Sequence, residues 1–210
     1  MNLPNKITIS RLIMSVIVLM LLIIPMEKIG LDLPAVKVTE AIRVDVKYLI
    51  AGILFLIASV TDFIDGHIAR KYNMVTDFGK MTDAIADKML VNSSLIILTA
   101  QGMVSPVITV IIVLRDTVVD TIKMIAGSKG KVVAAIKSGK IKTTFLMLGI
   151  IFTMCYNLPF ELFNLDIASF LLVLATVFAI ISGIQYYVMN KDIIFSKEET
   201  LDSADKKVQK

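Results

Sequence analysis

The sequence is poor in cysteine, histidine and charged side chains. Its 210 residues include a single cysteine, Cys155, and a single histidine, His67. One cysteine excludes a disulfide framework within the chain, and this shortage of thiols and imidazoles excludes a zinc cluster of the usual Cys/His kind. There is no Walker-type glycine loop and no nucleic-acid-binding motif, so we expect no nucleic-acid partner. Any catalytic or binding site is therefore expected to be built mainly from carboxylates, lysines and arginines.

Apolar residues dominate what is present. The chain is 56% hydrophobic and 19% charged, and its mean hydropathy is +0.80, a combination typical of integral membrane proteins. We predict an all-α bundle of six transmembrane helices forming one membrane domain over residues 1–190, followed by a charged cytoplasmic tail at 191–210. The six predicted spans are residues 7–26, 46–64, 84–102, 104–126, 143–158 and 167–190.

Lysine and arginine positions predict the orientation. The connections at 101–106 and 157–166 contain neither residue, whereas the connection around 123–143 is rich in lysine. The positive-inside rule therefore places both termini and the active face in the cytoplasm, at the cell membrane. The segment VKVTEAIRVDVKY, residues 36–48, is expected to form an interfacial amphipathic helix.

Four aspartates form two helical stripes next to an apolar span. Asp62 and Asp65 lie at i and i+3 in the stretch TDFIDGHIARKYNMVTDFGKMTDAIADK, and Asp83 and Asp87 lie at i and i+4. Paired antiparallel helices would bring the four carboxylates together, where they would repel one another unless cations compensate them. Two Mg²⁺ or Mn²⁺ ions suit such hard oxygen ligands. The alternative is a solvated helix face paired with neighbouring basic residues.

Eight positions of this stretch match one signature at every fixed residue. They are Asp62, Asp65, Gly66, Ala69, Arg70, Gly79, Asp83 and Asp87. The pattern resembles that of the CDP-alcohol phosphotransferase family. The resemblance implies a six-helix membrane fold, usually dimeric, in which two divalent metals assist transfer of a phosphatidyl group from CDP-diacylglycerol to an alcohol with release of CMP.

The resemblance also implies roles for these residues. Asp62, Asp65 and Asp83 would bind one metal. Asp62, Asp83 and Asp87 would bind the other, with Asp83 and Asp87 catalytic and Asp87 the general base. Donor-binding residues would be Asp62, Asp65, Gly66, Ala69, Arg70, Gly79, Asn5 and Thr8.

Two further segments bear on the acceptor alcohol. LPNKITISR, residues 3–11, and SGKIKTT, residues 138–144, are similar to the branch of the family that uses sn-glycerol 3-phosphate, the phosphatidylglycerophosphate synthases. A phosphorylated acceptor needs cations near the carboxylates, and Arg115 stands beside Asp116 inside an otherwise apolar span. The expected acceptor-phosphate ligands are Arg115, Lys137, Lys140 and Lys142.

Two alternatives stay open from sequence. One is the same chemistry with another acceptor, such as inositol phosphate, serine or phosphatidylglycerol. The other is a divalent-cation transporter, since carboxylates within a membrane also line ion paths. A transporter would be expected to have acidic residues spread through the depth of the bilayer. Here the aspartates cluster at one depth, and no internal repeat is evident.

Overall fold

The computed structural model describes residues 3–25, 30, 35–37, 43–71 and 77–195, with side chains except those of residues 3–8, 35, 36, 43, 63–71, 77–81, 83, 84 and 195. Six α-helices make up nearly all of this structure, each falling on one predicted apolar stretch, which confirms the all-α class. They are α1 (Leu3–Ile23), α2 (Val46–Lys71), α3 (Asp77–Ala100), α4 (Pro106–Ser128), α5 (Lys137–Met154) and α6 (Ile167–Phe195). A 3₁₀ turn, Phe160–Phe163, precedes α6.

A two-stranded antiparallel ribbon precedes α2. Strand β1 (Ala35–Lys37) pairs with β2 (Arg43–Asp45), with Val36 opposite Val44. The prediction of an amphipathic helix over 36–48 is therefore wrong at 36–37 and 43–45, which are strands. Helix begins only at Val46, and residues 38–42 lie outside the described part of the chain. The reason is local: Val44 stands between two charged residues and is buried, and this alternation of apolar and charged residues has the period of a strand.

The helices pack as two connected groups. Helix α1 contacts both α2 and α3, α6 contacts both α4 and α5, and α2 joins the groups through α5. Gly149 makes the α5–α6 contact close, because a Cβ atom at this position would lie 2.8 Å from the Leu172 side chain. Small residues of this kind are typical of helix contacts within membranes, where they let backbones approach.

A tight turn fixes α3 against α4. The backbone N–H of Met103 donates to the carbonyl of Leu98 at 2.9 Å, and the hydroxyls of Thr99 and Thr109 lie 2.5 Å apart across the two helices. The Gln101 side-chain amide also donates to the Leu22 carbonyl at 2.8 Å, which ties the turn to the end of α1. The turn therefore aligns α3 with α4, so that charged residues away from the turn, such as Lys88 and Asp120, lie next to each other.

Large apolar side chains are exposed along several helices, including Ile13 and Ile17 on α1 and Phe170 and Ile184 on α6. Among the described residues, one helical segment, Ile167–Ile194, is long and apolar enough to cross a membrane by length and composition alone, and Ile9–Ile23 is a shorter apolar helix. Helices α2 to α5 each carry three or more charged residues within their length.

Candidate active site

The two aspartate stripes lie on helices, as their spacing predicts. Helix α2 contains Asp62 and Asp65, and α3 contains Asp83 and Asp87. Side chains of several predicted site residues lie outside the described part of the structure, and their roles stay predictions. These residues are Asn5, Thr8, Asp65, Gly66, Ala69, Arg70, Gly79 and Asp83.

Asp62 forms an ion pair with Arg11 of α1. Arg11 is 1% exposed, and the Asp62 side chain is 40% exposed. Arg11 ends the LPNKITISR segment but was not predicted as a site residue, although a lone arginine in an apolar helix is itself a signal for a functional or structural ion pair. The pair connects α1 to the carboxylate stripe of α2, in the region predicted to bind the donor.

A cavity of about 160 Å³ opens between α3, α4 and α5. Its lining holds four cations and three carboxylates, together with a few apolar and amide groups. The charged lining residues are Asp87, Lys88, Arg115, Asp116, Asp120, Lys123 and Lys142. A cavity of this size and polarity is suited to a small charged molecule.

Asp116 lies between Arg115 and Lys142, the two residues that form the cationic wall of this cavity. Its carboxylate accepts two bonds from the Lys142 ammonium, at 2.9 and 2.8 Å, and a third from Arg115 Nη1 at 3.0 Å. Lys142 is 3% exposed, so its charge is held inside the protein by Asp116. Two predicted acceptor ligands, Arg115 and Lys142, are therefore brought within reach of one carboxylate.

Arg115 is held from a second direction by α6. Ser182 accepts hydrogen bonds from Arg115 Nε at 3.1 Å and from Nη2 at 2.7 Å, and the guanidinium carbon lies 5.6 Å from the Tyr186 ring centroid. Neither Ser182 nor Tyr186 was predicted as a site residue. A single hydroxyl within an apolar helix does not reveal which neighbour it will face.

The remaining predicted acceptor ligands, Lys137 and Lys140, are exposed in the first turn of α5 and do not line this cavity. Lys88 and Asp120 instead form a pair across α3 and α4 at 2.5 Å. The structure thus brings Arg115 and Lys142 together, while the roles of Lys137 and Lys140 stay predictions.

Asp87 lies between the Arg11–Asp62 ion pair and the charged cavity that contains Asp116 and Lys142. It lines the cavity, and it interacts electrostatically with Asp62 and Arg11 on one side and with Lys142 and Asp116 on the other. In the part of the chain that the structure describes, Asp87 has no ion-pair partner, whereas Asp62 and Asp120 each have one and Asp116 has two. Among these four described carboxylates, Asp87 is therefore the one without an ion pair.

Comparison with known proteins bears on the identity of this site. A sequence model described as CDP-alcohol phosphatidyltransferase matches residues 1–183, most of the chain. The chain belongs to the CDP-alcohol phosphatidyltransferase family. This confirms the resemblance carried by the eight-residue signature.

Relatives within the CDP-alcohol phosphatidyltransferase family carry a more specific name. A Bacillus subtilis protein called CDP-diacylglycerol–glycerol-3-phosphate 3-phosphatidyltransferase is 36% identical over 189 residues, covering 90% of this chain and 95% of that relative. Proteins of the same name from Mycoplasma pneumoniae and Rickettsia bellii are 35% and 30% identical, covering 77% and 89% of this chain and 70% and 93% of theirs.

Proposed function

We propose that this chain transfers the phosphatidyl group of CDP-diacylglycerol to sn-glycerol 3-phosphate, giving phosphatidylglycerophosphate and CMP in phospholipid biosynthesis. The observation that carries the proposal is the cavity in which Asp87 faces Arg115 and Lys142. The names of the relatives support the same reaction.

The acceptor phosphate is assigned to the cationic wall. Arg115 offers a planar fork of donors and Lys142 a point charge, both suited to phosphate oxygens. Both are buried or nearly so, and a low local dielectric strengthens their attraction for an anion. Lys137 and Lys140, exposed in the first turn of α5, would attract the anion from solution.

The donor and two divalent cations, Mg²⁺ or Mn²⁺, are assigned to the aspartate stripes. Asp62, Asp65, Asp83 and Asp87 would hold the cations. Their donor set fits, because it is made of carboxylate oxygens, and Asp62 and Asp87 are close enough to interact electrostatically. Within the described side chains, no group of three potential metal ligands is found, and Asp65 and Asp83 lie outside that set. When bound, the cations would neutralise the pyrophosphate and stabilise charge on the departing CMP.

Asp87 is the proposed general base. Its carboxylate faces the cavity that would hold the acceptor, and no cationic side chain is paired with it among the described residues. It is therefore placed to take the proton of the attacking hydroxyl as the bond to CMP breaks. Gly66, Ala69, Arg70 and Gly79 would contact the cytidine diphosphate, and Asn5 and Thr8 of α1 would complete the donor site.

The same proposal includes a membrane arrangement. Residues 1–190 would form one domain that crosses the cell membrane six times, with residues 191–210 as a cytoplasmic tail and both termini in the cytoplasm. The exposed apolar side chains of α1 and α6 would face lipid, and the protein would act as a homodimer.

An acceptor panel tests the proposed reaction. Purified protein is incubated with CDP-diacylglycerol, Mn²⁺ and one acceptor at a time: glycerol 3-phosphate, inositol phosphate, serine or phosphatidylglycerol. We expect CMP release and a phosphatidyl product with glycerol 3-phosphate at far lower acceptor concentration than with the others. Turnover with another acceptor and none with glycerol 3-phosphate would refute the proposed substrate. Mn²⁺ uptake into proteoliposomes without CDP-diacylglycerol would instead favour transport.

A further inference from the structure

Ser182 is a buried hydroxyl in the most apolar helix of the protein. Its side chain is 0% exposed. It donates a hydrogen bond to the Ala179 carbonyl at 3.0 Å and accepts the two bonds from Arg115 described above. Its oxygen therefore has a full set of partners, and the guanidinium uses two of its donors on this one atom.

The geometry leaves a defined part of Arg115 for a ligand. A guanidinium has five N–H donors, one on Nε and two on each terminal nitrogen. Ser182 takes the Nε donor and one from Nη2, and Asp116 takes one from Nη1. One N–H on each terminal nitrogen is left, and two is the number of donors that a bidentate contact to phosphate uses.

The surroundings of Arg115 restrict its alternative positions. Tyr186 lies beside the guanidinium, and a Cβ atom at Gly183 would lie 3.3 Å from Arg115 Cγ. The stem of Arg115 thus runs closely along α6, and the Ser182 hydroxyl, one position before Gly183, fixes the rotation of the guanidinium plane.

We propose that Ser182 is a positioning residue that sets affinity for the acceptor phosphate by orienting Arg115. The inference rests on the proposed function, because it takes Arg115 as a phosphate ligand. Ser182 does not itself line the cavity, so its effect passes through Arg115. Without the hydroxyl, the guanidinium keeps its charge but loses two of the three bonds that fix its plane.

The test is a steady-state comparison of Ser182→Ala with a matched control. Thr176→Val serves as control, since Thr176 is a buried hydroxyl of the same helix that donates to a backbone carbonyl. For Ser182→Ala we expect the KM for glycerol 3-phosphate to rise about tenfold, with kcat and the KM for CDP-diacylglycerol changed by less than about twofold. Thr176→Val should leave all three constants near wild type. An unchanged glycerol 3-phosphate KM in Ser182→Ala would overturn the inference.

A double-mutant cycle separates positioning from a general packing role. Lysine at position 115 cannot make the two bonds to Ser182, so Ser182→Ala should raise the KM by less than about twofold in an Arg115→Lys background. An equal rise in both backgrounds would mean that Ser182 acts independently of Arg115 and would overturn the inference. If Ser182→Ala does not fold, Ser182→Cys is measured in the same cycle with the same expectation, because its slightly larger side chain keeps the shape of serine but accepts hydrogen bonds weakly.

The cycle also distinguishes the inference from the proposed function. If Arg115→Lys leaves the glycerol 3-phosphate KM unchanged, the acceptor assignment of Arg115 fails and this inference fails with it. If Arg115→Lys raises that KM and Ser182→Ala does not, the proposed function stands and the positioning role alone is refuted.

Discussion

Replacing Lys142 with methionine tests the cationic wall most directly. Methionine keeps an unbranched stem of similar length and removes the ammonium. The Asp116 carboxylate then loses two hydrogen bonds, at 2.9 and 2.8 Å, and keeps the bond from Arg115. Both a loss of stability and a loss of acceptor affinity should follow.

The loss of stability can be estimated from burial. Removing one partner of a buried ion pair typically costs about 3–5 kcal/mol. The Asp116 side chain is 19% exposed and retains Arg115 as a partner, and the substitution also removes the desolvation cost of the Lys142 charge, so we expect about 2 kcal/mol. For a chain of this length, that corresponds to a fall in melting temperature of about 4–8 °C.

The loss of affinity has a separate magnitude. A hydrogen bond to a charged group contributes about 1.5–3 kcal/mol, so losing the Lys142 contact should raise the KM for glycerol 3-phosphate by about ten- to a hundredfold. The KM for CDP-diacylglycerol should stay within about twofold, because its proposed ligands lie on α1, α2 and α3. CMP release at varied acceptor and donor concentrations measures both constants.

Lys191→Met is the control for this prediction. Lys191 is exposed on α6, and exposed substitutions usually change stability by no more than about 0.5 kcal/mol. Thermal unfolding in detergent, followed by circular dichroism, compares the two variants. If Lys142→Met matches Lys191→Met in melting temperature and in acceptor KM, the reasoning about Asp116 and Lys142 is refuted.

Three further perturbations address the base, the cations and the helix packing. Asp87→Asn should lower CMP release by about 10²–10⁴-fold with the fold retained. Asp77→Asn is its control and should stay active, because Asp77 begins α3 and is not one of the eight signature residues; equal turnover of the two variants would refute the base assignment. Excess EDTA should abolish CMP release and added Mg²⁺ or Mn²⁺ should restore it; turnover that persists in EDTA would exclude the proposed cations. Gly149→Ala should lower stability by about 1–3 kcal/mol, since its Cβ would lie 2.8 Å from Leu172. Gly127→Ala, whose Cβ would meet nothing within 4 Å, should be neutral or stabilising by up to about 1 kcal/mol, and equal melting temperatures would contradict the packing argument.

The helices could be predicted from sequence because apolar length is a local property. Every predicted apolar stretch contains one helix, and the starts of α2 and α6 fall at the predicted residues. The end of α5 was less predictable, since the helix stops at Met154 and not at residue 158. Asn157 follows with φ of 56°, and its side chain bonds the Leu165 carbonyl and the Ala168 N–H. These contacts are made with residues beyond the segment whose pattern was read.

In the candidate site too, features within one helix could be predicted and contacts between helices could not. Helical spacing predicts which residues share a face, so the stripes containing Asp62 and Asp87 could be recognised from sequence. The pairing of Arg11 with Asp62 and of Arg115 with Ser182 joins helices far apart in the chain. Such contacts depend on how the helices rotate against one another, which periodicity within one helix does not specify.

Charge compensation explains why these residues are tolerated among so many apolar side chains. Carboxylates and cations near hydrocarbon are costly unless paired, and Asp62, Asp116 and Asp120 are paired with Arg11, Lys142 and Lys88. Asp87 is half-buried and, within the described residues, is not paired. A general base must keep its charge available for a proton. Among the described carboxylates of the site, the one without an ion pair is therefore the one assigned as the general base.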